Sequence, residues 1–395
     1  MTRDLARLIA ALILFHGSMT GTRLAASLIA LRDGYSPAAV GLLLALFALA
    51  QIFLALPAGR FADRHGLKRP IKYCVLIGAA GVGSAAVLPV FVVLCFAALM
   101  TGAAAVTVII AIQRHAGRAI SEAVQLKQVF GWLSIGTAIS GFVGPFTAGL
   151  LIDHAGATAG STSGYRAAFF LMAIFPLVCW LLVRSMTELP LTGVPKADKA
   201  HSAMDLLRDP DFRNLMLVNW FLQSCWDVHT FMVPVLGFER GISASVIGII
   251  LGAFAIAAAA IRVALPIIAA RLQEWAVLVV AMIASALIFA VYPLTHSAIA
   301  MGVCSVLLGL SLGMVQPMVM SMLHQITPEA RHGEAIGLRL MAINVSSVAM
   351  PMFFGTAGAI IGISGVFWVA SAIVGAGSRV AWTLKDTTER VGPHH

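Results

Sequence analysis

Five ionisable side chains stand inside long apolar stretches of this chain: Arg23, Asp227, His229, Arg262 and Arg339. A charge at the centre of a hydrocarbon layer costs about 2.5–3.5 kcal/mol or more, so each is a candidate for function. The balance is three arginines against one acid, Asp227. A guanidinium grips a carboxylate or a phosphate through two parallel hydrogen bonds, so this surplus suits an anionic or zwitterionic ligand. The competing reading pairs Arg23 or Arg262 with Asp227 as an ion pair and leaves the site neutral. Asp227 and His229, within Trp226-Asp227-Val228-His229, are the residue types best suited to carry a proton. Trp226, Gln51 and Gln316 add stacking and hydrogen bonding to such a pocket, and Gln316-Pro317 marks a local break in a helix. His16 is a weaker candidate for carrying a proton, because a lone histidine in a packed bundle is more often simply hydrogen-bonded. Arg339, eight residues from Arg331, either joins the pocket or snorkels back to the surface.

These residues need long apolar helices to hold them. Of the 395 residues, 60% are hydrophobic and 11% charged, where a soluble domain carries about 25% charged residues. The chain is therefore read as an all-α membrane protein, since period-two alternation is absent. At about 20 residues per crossing, twelve spans fall near 7–30, 37–58, 70–90, 91–112, 127–152, 166–186, 213–236, 244–266, 275–294, 297–323, 333–356 and 358–382. The last two are divided at Gly358 or Gly362. Arg23 lies nine residues before Arg32, and Arg262 nine before Arg271, which places each about 13 Å deep, near the midplane.

Twenty of the 26 lysines and arginines fall on the side of the N-terminus, and Arg32, Arg166 and Arg240 on the other. Both termini are thus expected in the cytoplasm. The net charge of +9 sets topology and contacts anionic lipid, and no nucleic-acid partner is expected. The five cysteines are scattered singly, without C-x-x-C spacing, so neither disulfides nor a metal site is supported. The polar stretch 187–212, with Pro190, Pro195 and Lys196-Ala197-Asp198-Lys199, divides a six-span bundle at 1–186 from a second at 213–395. Within it Met204–Arg208 is expected to form a short interfacial helix.

The two parts repeat. Gly34-Tyr35-Ser36-Pro37-Ala38-Ala39-Val40-Gly41 matches Gly241-Ile242-Ser243-Ala244-Ser245-Val246-Ile247-Gly248 at an offset of 207, and Pro145-x-x-x-Gly149 matches Pro351-x-x-x-Gly355 at 206. The same offset sets Asp227 opposite Thr20 and Thr230 opposite Arg23. Parallel repeats of six helices are an architecture of secondary transporters.

Between the second and third spans stands Gly59-Arg60-Phe61-Ala62-Asp63-Arg64-His65-Gly66-Leu67-Lys68-Arg69. This pattern resembles the loop joining the second and third helices of the major facilitator superfamily, and with the repeat the resemblance covers essentially the whole chain. It implies a conformational latch formed by Gly59, Arg60, Asp63, Arg64, Gly66, Lys68 and Arg69, in which Asp63 meets the start of a helix in the other half and favours the outward-open state. In the second half Ala270 stands in the place of Asp63 and Pro266 in that of Gly59, so the latch is expected on one side only. Ser140-Gly141-Phe142-Val143-Gly144-Pro145-Phe146-Thr147-Ala148-Gly149 resembles the helix-packing motif of drug/proton exporters, with Ser140 and Ala148 in place of two glycines. Gly141, Gly144, Pro145 and Gly149 carry that likeness, which leans towards efflux; ordinary small-residue packing is the other reading. The fourth span lacks the central arginine that many proton-coupled exporters carry there.

No H-E-x-x-H, G-x-S-x-G or phosphate-binding loop is present, so no enzyme, cofactor or metal is expected. What the resemblance implies is a monomeric secondary transporter of the inner membrane that moves a small organic anion or zwitterion by alternating access, with protons as coupling partner. A multidrug cation antiporter and a non-transporting receptor are the alternatives.

Overall fold

A computed structural model describes residues 3–118, 123–188, 203–268, 273–328 and 331–391. Pro190, Pro195, Lys196–Lys199, Ala270 and Arg271 lie outside the described residues, as do the side chains of Arg60, Asp63 and Pro266 and the surroundings of Gly59. Among the described residues twelve α-helices follow one another: α1 Arg3–Arg32, α2 Pro37–His65, α3 Lys68–Val87, α4 Phe91–Arg118, α5 Ala123–His154, α6 Thr162–Arg184, α7 Pro210–Glu239, α8 Ala244–Ile268, α9 Glu274–Val291, α10 Ala298–Gly313, α11 Val315–Ile326 and α12 His332–Val391. A 3-10 turn at Ala203–Arg208 stands where a short helix was expected before α7.

Ten stretches of the described residues are long and apolar enough to cross a membrane. The count differs from twelve for two physical reasons. Asn214, Asn219, Gln223, Asp227 and His229 lower the hydropathy of α7, although its 30 residues exceed a crossing. The last apolar stretch, Leu338–Asp386, has 49 residues and is interrupted by Gly362, whose φ of 74° is the left-handed conformation that favours glycine. Conversely, α10 and α11 are one crossing stretch, Ala298–Ile326, interrupted just before Pro317. Proline has no N–H to donate four residues back, so the Gly313 carbonyl is left over at the break. Arg262 Nε takes it, at 3.1 Å. Likewise Pro176 releases the Met172 carbonyl, which accepts from Ser18 Oγ at 2.6 Å.

One packing scheme occurs twice. Before residue 189, α1 packs on α5, α2 on α4 and α3 on α6; after residue 202, α7 packs on α12, α8 on α10 and α9 on α12. Two seams join the sets, α5 against α8 and α2 against α12. Both seams close at the end that carries the α1–α2 and α7–α8 turns, and both use the repeated residues. Gly41 lies against the Pro351 carbonyl and Gly248 against that of Pro145. Gly355 meets the Pro37 carbonyl, and Gly149 that of Ala244. A methyl group at any of the four would strike backbone, so glycine is required for the approach.

At the same end, the Asp153 carboxylate at the foot of α5 accepts from Ala244 N at 3.1 Å and Ser245 N at 2.7 Å. Those amides begin α8 and have no intrahelical partner, so Asp153 caps a helix of the other set, with its charge on the positive end of the helix dipole. At the opposite end, the loop after α2 is pinned locally. Gly66 reverses the chain with φ 73°, Glu188 Oε1 accepts from Leu67 N and Lys68 N at 2.9 and 3.2 Å, and Arg114 Nη1 donates to the Ala62 carbonyl at 2.7 Å. Arg64 and Arg69 of this loop are exposed and Lys68 is half-buried.

Candidate functional site

Between the two sets of helices lies a cavity of about 380 Å³. Its wall on α1 is a single stripe, His16, Met19, Thr20, Arg23, Leu24 and Ser27, with the spacing of one helix face. Thr137, Ala138, Gly141 and Pro145 come from α5, Leu44 from α2, and Gln223, Trp226, Thr230 and Pro234 from α7. From α8 come Leu251, Phe254, Ala255, Ala258 and Arg262, and Gln316 stands at the start of α11.

Of the residues expected at a binding site, the cavity brings together Arg23, Arg262, Trp226 and Gln316. Arg262 is oriented by the Gly313 carbonyl freed at the α10–α11 break, and its guanidinium carbon lies 6.0 Å from the centre of the Trp226 ring, the outer limit of a cation–π contact. Arg23 has neither an ion pair within 4.0 Å nor a side-chain hydrogen bond among the described residues. Two guanidinium groups therefore face one cavity whose lining, among the described residues, contains no carboxylate.

The other expected residues stand elsewhere. Asp227, 6% exposed, turns away from the lining towards α12, where Ser346 Oγ and Ser347 Oγ donate to its two oxygens at 2.9 and 3.3 Å. His229 is fully buried; it stacks on Phe254 with ring centres 4.1 Å apart, and its Nε2 lies 2.8 Å from Ser305 Oγ, which also meets Tyr292 Oη at 2.8 Å. Arg339 donates from Nε to Asn219 Oδ1 at 3.0 Å, deep between α12 and α7. Gln51 bonds the Phe47 carbonyl on its own helix at 3.2 Å. The ion pair of Arg23 or Arg262 with Asp227 is not formed.

The glycines of α5 divide their work. Gly144 lies against Gly17 and Thr20 of α1. Gly149 meets α8, and a methyl on Gly141 would stand 3.0 Å from the Ala255 side chain. Pro145 contributes to both the cavity and the seam.

The cavity also holds His16, on sequence only a weaker proton-carrying candidate, and Gln223 and Phe254, which sequence reasoning does not single out. His16 stands two helical turns before Arg23 on the same face, and that i, i+7 spacing was the available signal. Gln223 is the repeat mate of His16 at the offset of 207. Phe254 carries the repeat alone, as the mate of Phe47 at the same offset, and that match does not tell which way either ring turns.

The Major Facilitator Superfamily model matches residues 8–322 and again 215–394. The two matches begin 207 residues apart, the offset that separates Gly34 from Gly241. No curated protein sequence matches the chain. Among solved structures, a bacterial homologue of the human lysosomal transporter Spinster, inward-facing and occupied, is 15% identical over 98% of both chains with a TM-score of 0.81. A POT family transporter in complex with a thioalcohol-conjugated peptide is 13% identical over 98% of this chain and 96% of its own, at 0.78. The nucleoside transporter NupG is 15% identical over 97% and 99%, at 0.73. At such identities the likeness is one of fold, and that fold is a transporter's. A family model that fits this sequence twice, at the spacing of its own internal repeat, decides the matter: the chain belongs to the Major Facilitator Superfamily.

Proposed function

We propose that the protein is a secondary active transporter that moves a small organic anion or zwitterion across the bacterial inner membrane by alternating access. The observation that carries this reading is the pair Arg23 and Arg262, on helices of different sets, facing a cavity with no carboxylate in its lining among the described residues. Counting α7 as a span and dividing the last stretch at Gly362 gives twelve crossings with both termini cytoplasmic, in bundles at 1–186 and 213–395 joined by 187–212. In that orientation the closed seams face outwards, so the conformation is inward-facing. Asp63 with its loop takes the opposite role, holding the outward-open state. Asp227 is the proton carrier, with His229 as the second candidate. Its carboxylate bonds α12 instead of the cavity, so a proton on Asp227 acts on the packing of α7 and α12. The direction is export, on the likeness of the Gly141–Gly149 segment to exporters, and the working unit is a monomer.

The test is a thermal-shift screen of the purified protein against anionic, zwitterionic and cationic metabolites at two pH values. A ligand present at a hundred times its Kd stabilises the folded state by about 2.7 kcal/mol. Stabilisation by carboxylates or phosphates that disappears in Arg23→Gln is the expected result. Stabilisation only by lipophilic cations, lost in Asp227→Asn, overturns it in favour of a multidrug antiporter. Counterflow in proteoliposomes is expected; binding without exchange identifies a receptor.

A further inference from the structure

The hydroxyl protons of the cavity wall can be assigned one by one. Thr20 Oγ1 donates to the Ser140 carbonyl at 3.1 Å or the Gly17 carbonyl at 3.2 Å, Ser27 Oγ to Leu24 at 2.9 Å, Thr137 Oγ1 to Leu133 at 3.0 Å, and Thr230 Oγ1 to Trp226 at 3.0 Å. Each hydroxyl that lines the cavity has thus spent its only proton on backbone and offers the cavity lone pairs alone.

The same accounting fixes the tautomer of His16. Its Nδ1 lies 2.6 Å from Ser140 Oγ, and Ser140 Oγ lies 2.6 Å from the Thr137 carbonyl. A carbonyl only accepts, and two oxygens 2.6 Å apart need a proton between them, so Ser140 donates to Thr137. Nδ1 therefore carries the imidazole proton and donates to Ser140. In the neutral ring Nε2 is then a bare acceptor, on a half-buried residue that lines the cavity and has no other protein partner among the described residues. Pro145 and Pro234 add to the imbalance, since each lacks the N–H that would bond the carbonyl four residues back, on Gly141 and Thr230. Both of those residues line the cavity.

We propose that His16 is a substrate-binding residue that accepts a hydrogen bond through Nε2, and that the transported solute carries an N–H or O–H donor besides its anionic group, an amino acid-like zwitterion or a hydroxy acid rather than a simple carboxylate. This rests on the anion reading of Arg23 and Arg262 and adds to it. A cavity furnished with arginines alone would accept any small anion. One that also holds the His16 Nε2, which meets no protein donor among the described residues, leaves that nitrogen unpaired when a ligand brings no donor, and an unpaired acceptor weakens binding.

The probes are matched carboxylates: 4-aminobutanoate with butanoate, and 6-aminohexanoate and 6-hydroxyhexanoate with hexanoate. Affinities for the full-length protein in detergent are measured at pH 8, above the ordinary imidazole value of about 6.5. Donor-bearing members are expected to bind on the order of tenfold more tightly than their alkyl partners. His16→Phe is expected to bring the two within about twofold while retaining the dependence on Arg23. Ser140→Ala leaves the imidazole in place but removes the acceptor that holds the proton on Nδ1, and is expected to reduce the preference several-fold; it decides the matter if His16→Phe does not fold. No preference in the natural protein, a preference retained in His16→Phe, or one unchanged in Ser140→Ala overturns the role of His16. Carboxylates that bind through Arg23 without preference remove this inference alone. If no carboxylate binds, or binding survives Arg23→Gln unchanged, the anion reading fails and this inference falls with it.

Discussion

Gly41 and Gly248, Pro145 and Pro351, Gly149 and Gly355 are repeat mates, and at the seams each acts as its mate does, glycine against backbone carbonyl. The cavity a few turns away is lined by the same repeated helices, and there Leu44 and Leu251 still match while the polar positions do not. Where α1 presents His16, Thr20 and Arg23, α7 has Gln223, Asp227 and Thr230. Arg23 faces the cavity, whereas Asp227 turns to the serines of α12 and nearby His229 to Ser305 on α10. The contrast separates two demands on one ancestral unit. On the proposed function, rocking about a central axis would use two equivalent contact surfaces, which fits the paired seam residues. Binding an asymmetric solute would use different groups on its two sides, which fits the unlike polar residues of the cavity.

This contrast can be broken by experiment. The largest effect is expected at the least symmetric position: Asp227→Asn should abolish pH-driven accumulation in proteoliposomes while counterflow continues, because the acid lies off the cavity. Loss of ligand binding in that variant would return Asp227 to the site. Next, Arg23→Gln should weaken binding of an anionic ligand on the order of a hundredfold, by removing a charged pair of hydrogen bonds, whereas Thr230→Val at the mate position should change it only several-fold; comparable losses would erase the asymmetry. Gly41→Val and Gly248→Val should each disfavour the closed seams on the order of tenfold, as overpacking does. Both should raise the reactivity of a cysteine placed at Ser27 towards an impermeant reagent added from the α1–α2 end. Unequal effects would show that the seams are not equivalent. Asp153→Ala removes a helix cap of about 1 kcal/mol, so about a fivefold shift in the same assay is expected. Smallest of all, His229→Gln should leave ligand affinity within about twofold.

How much of this was legible follows from how local each signal is. Composition and apolar runs identify membrane helices because both are read within twenty residues. Arg23 and Arg262 stand out as charges in hydrocarbon, and both prove to face the cavity. Asp227 carried the same signal but bonds Ser346 and Ser347, some 120 residues distant, and no local pattern tells which way such a side chain turns. The repeat was visible as matching strings, yet strings do not reveal that Gly41 would meet Pro351 and Gly248 Pro145. On sequence His16 is a weaker proton-carrying candidate, more often simply hydrogen-bonded, which it is; that the bond leaves its second nitrogen bare follows only from the proton count at Ser140. The α2–α3 loop resembles a latch on sequence, and among the described residues its anchors are Arg114 of its own half and Glu188 at the start of the segment that joins the halves.

The manner in which the seams close has an electrical consequence. Where glycine lies on carbonyl, the glycine has no side chain that could swing aside, and backbone meets backbone directly. A barrier of that kind does not breathe open by rotamer changes; it parts only when whole helices move. On the proposed function, this conformation would act as an insulator, with charge crossing the membrane only as cargo of the moving bundles, in amounts set by what the cavity and Asp227 hold. Patch recording from membranes rich in the protein should therefore find no standing current, with or without a pH gradient.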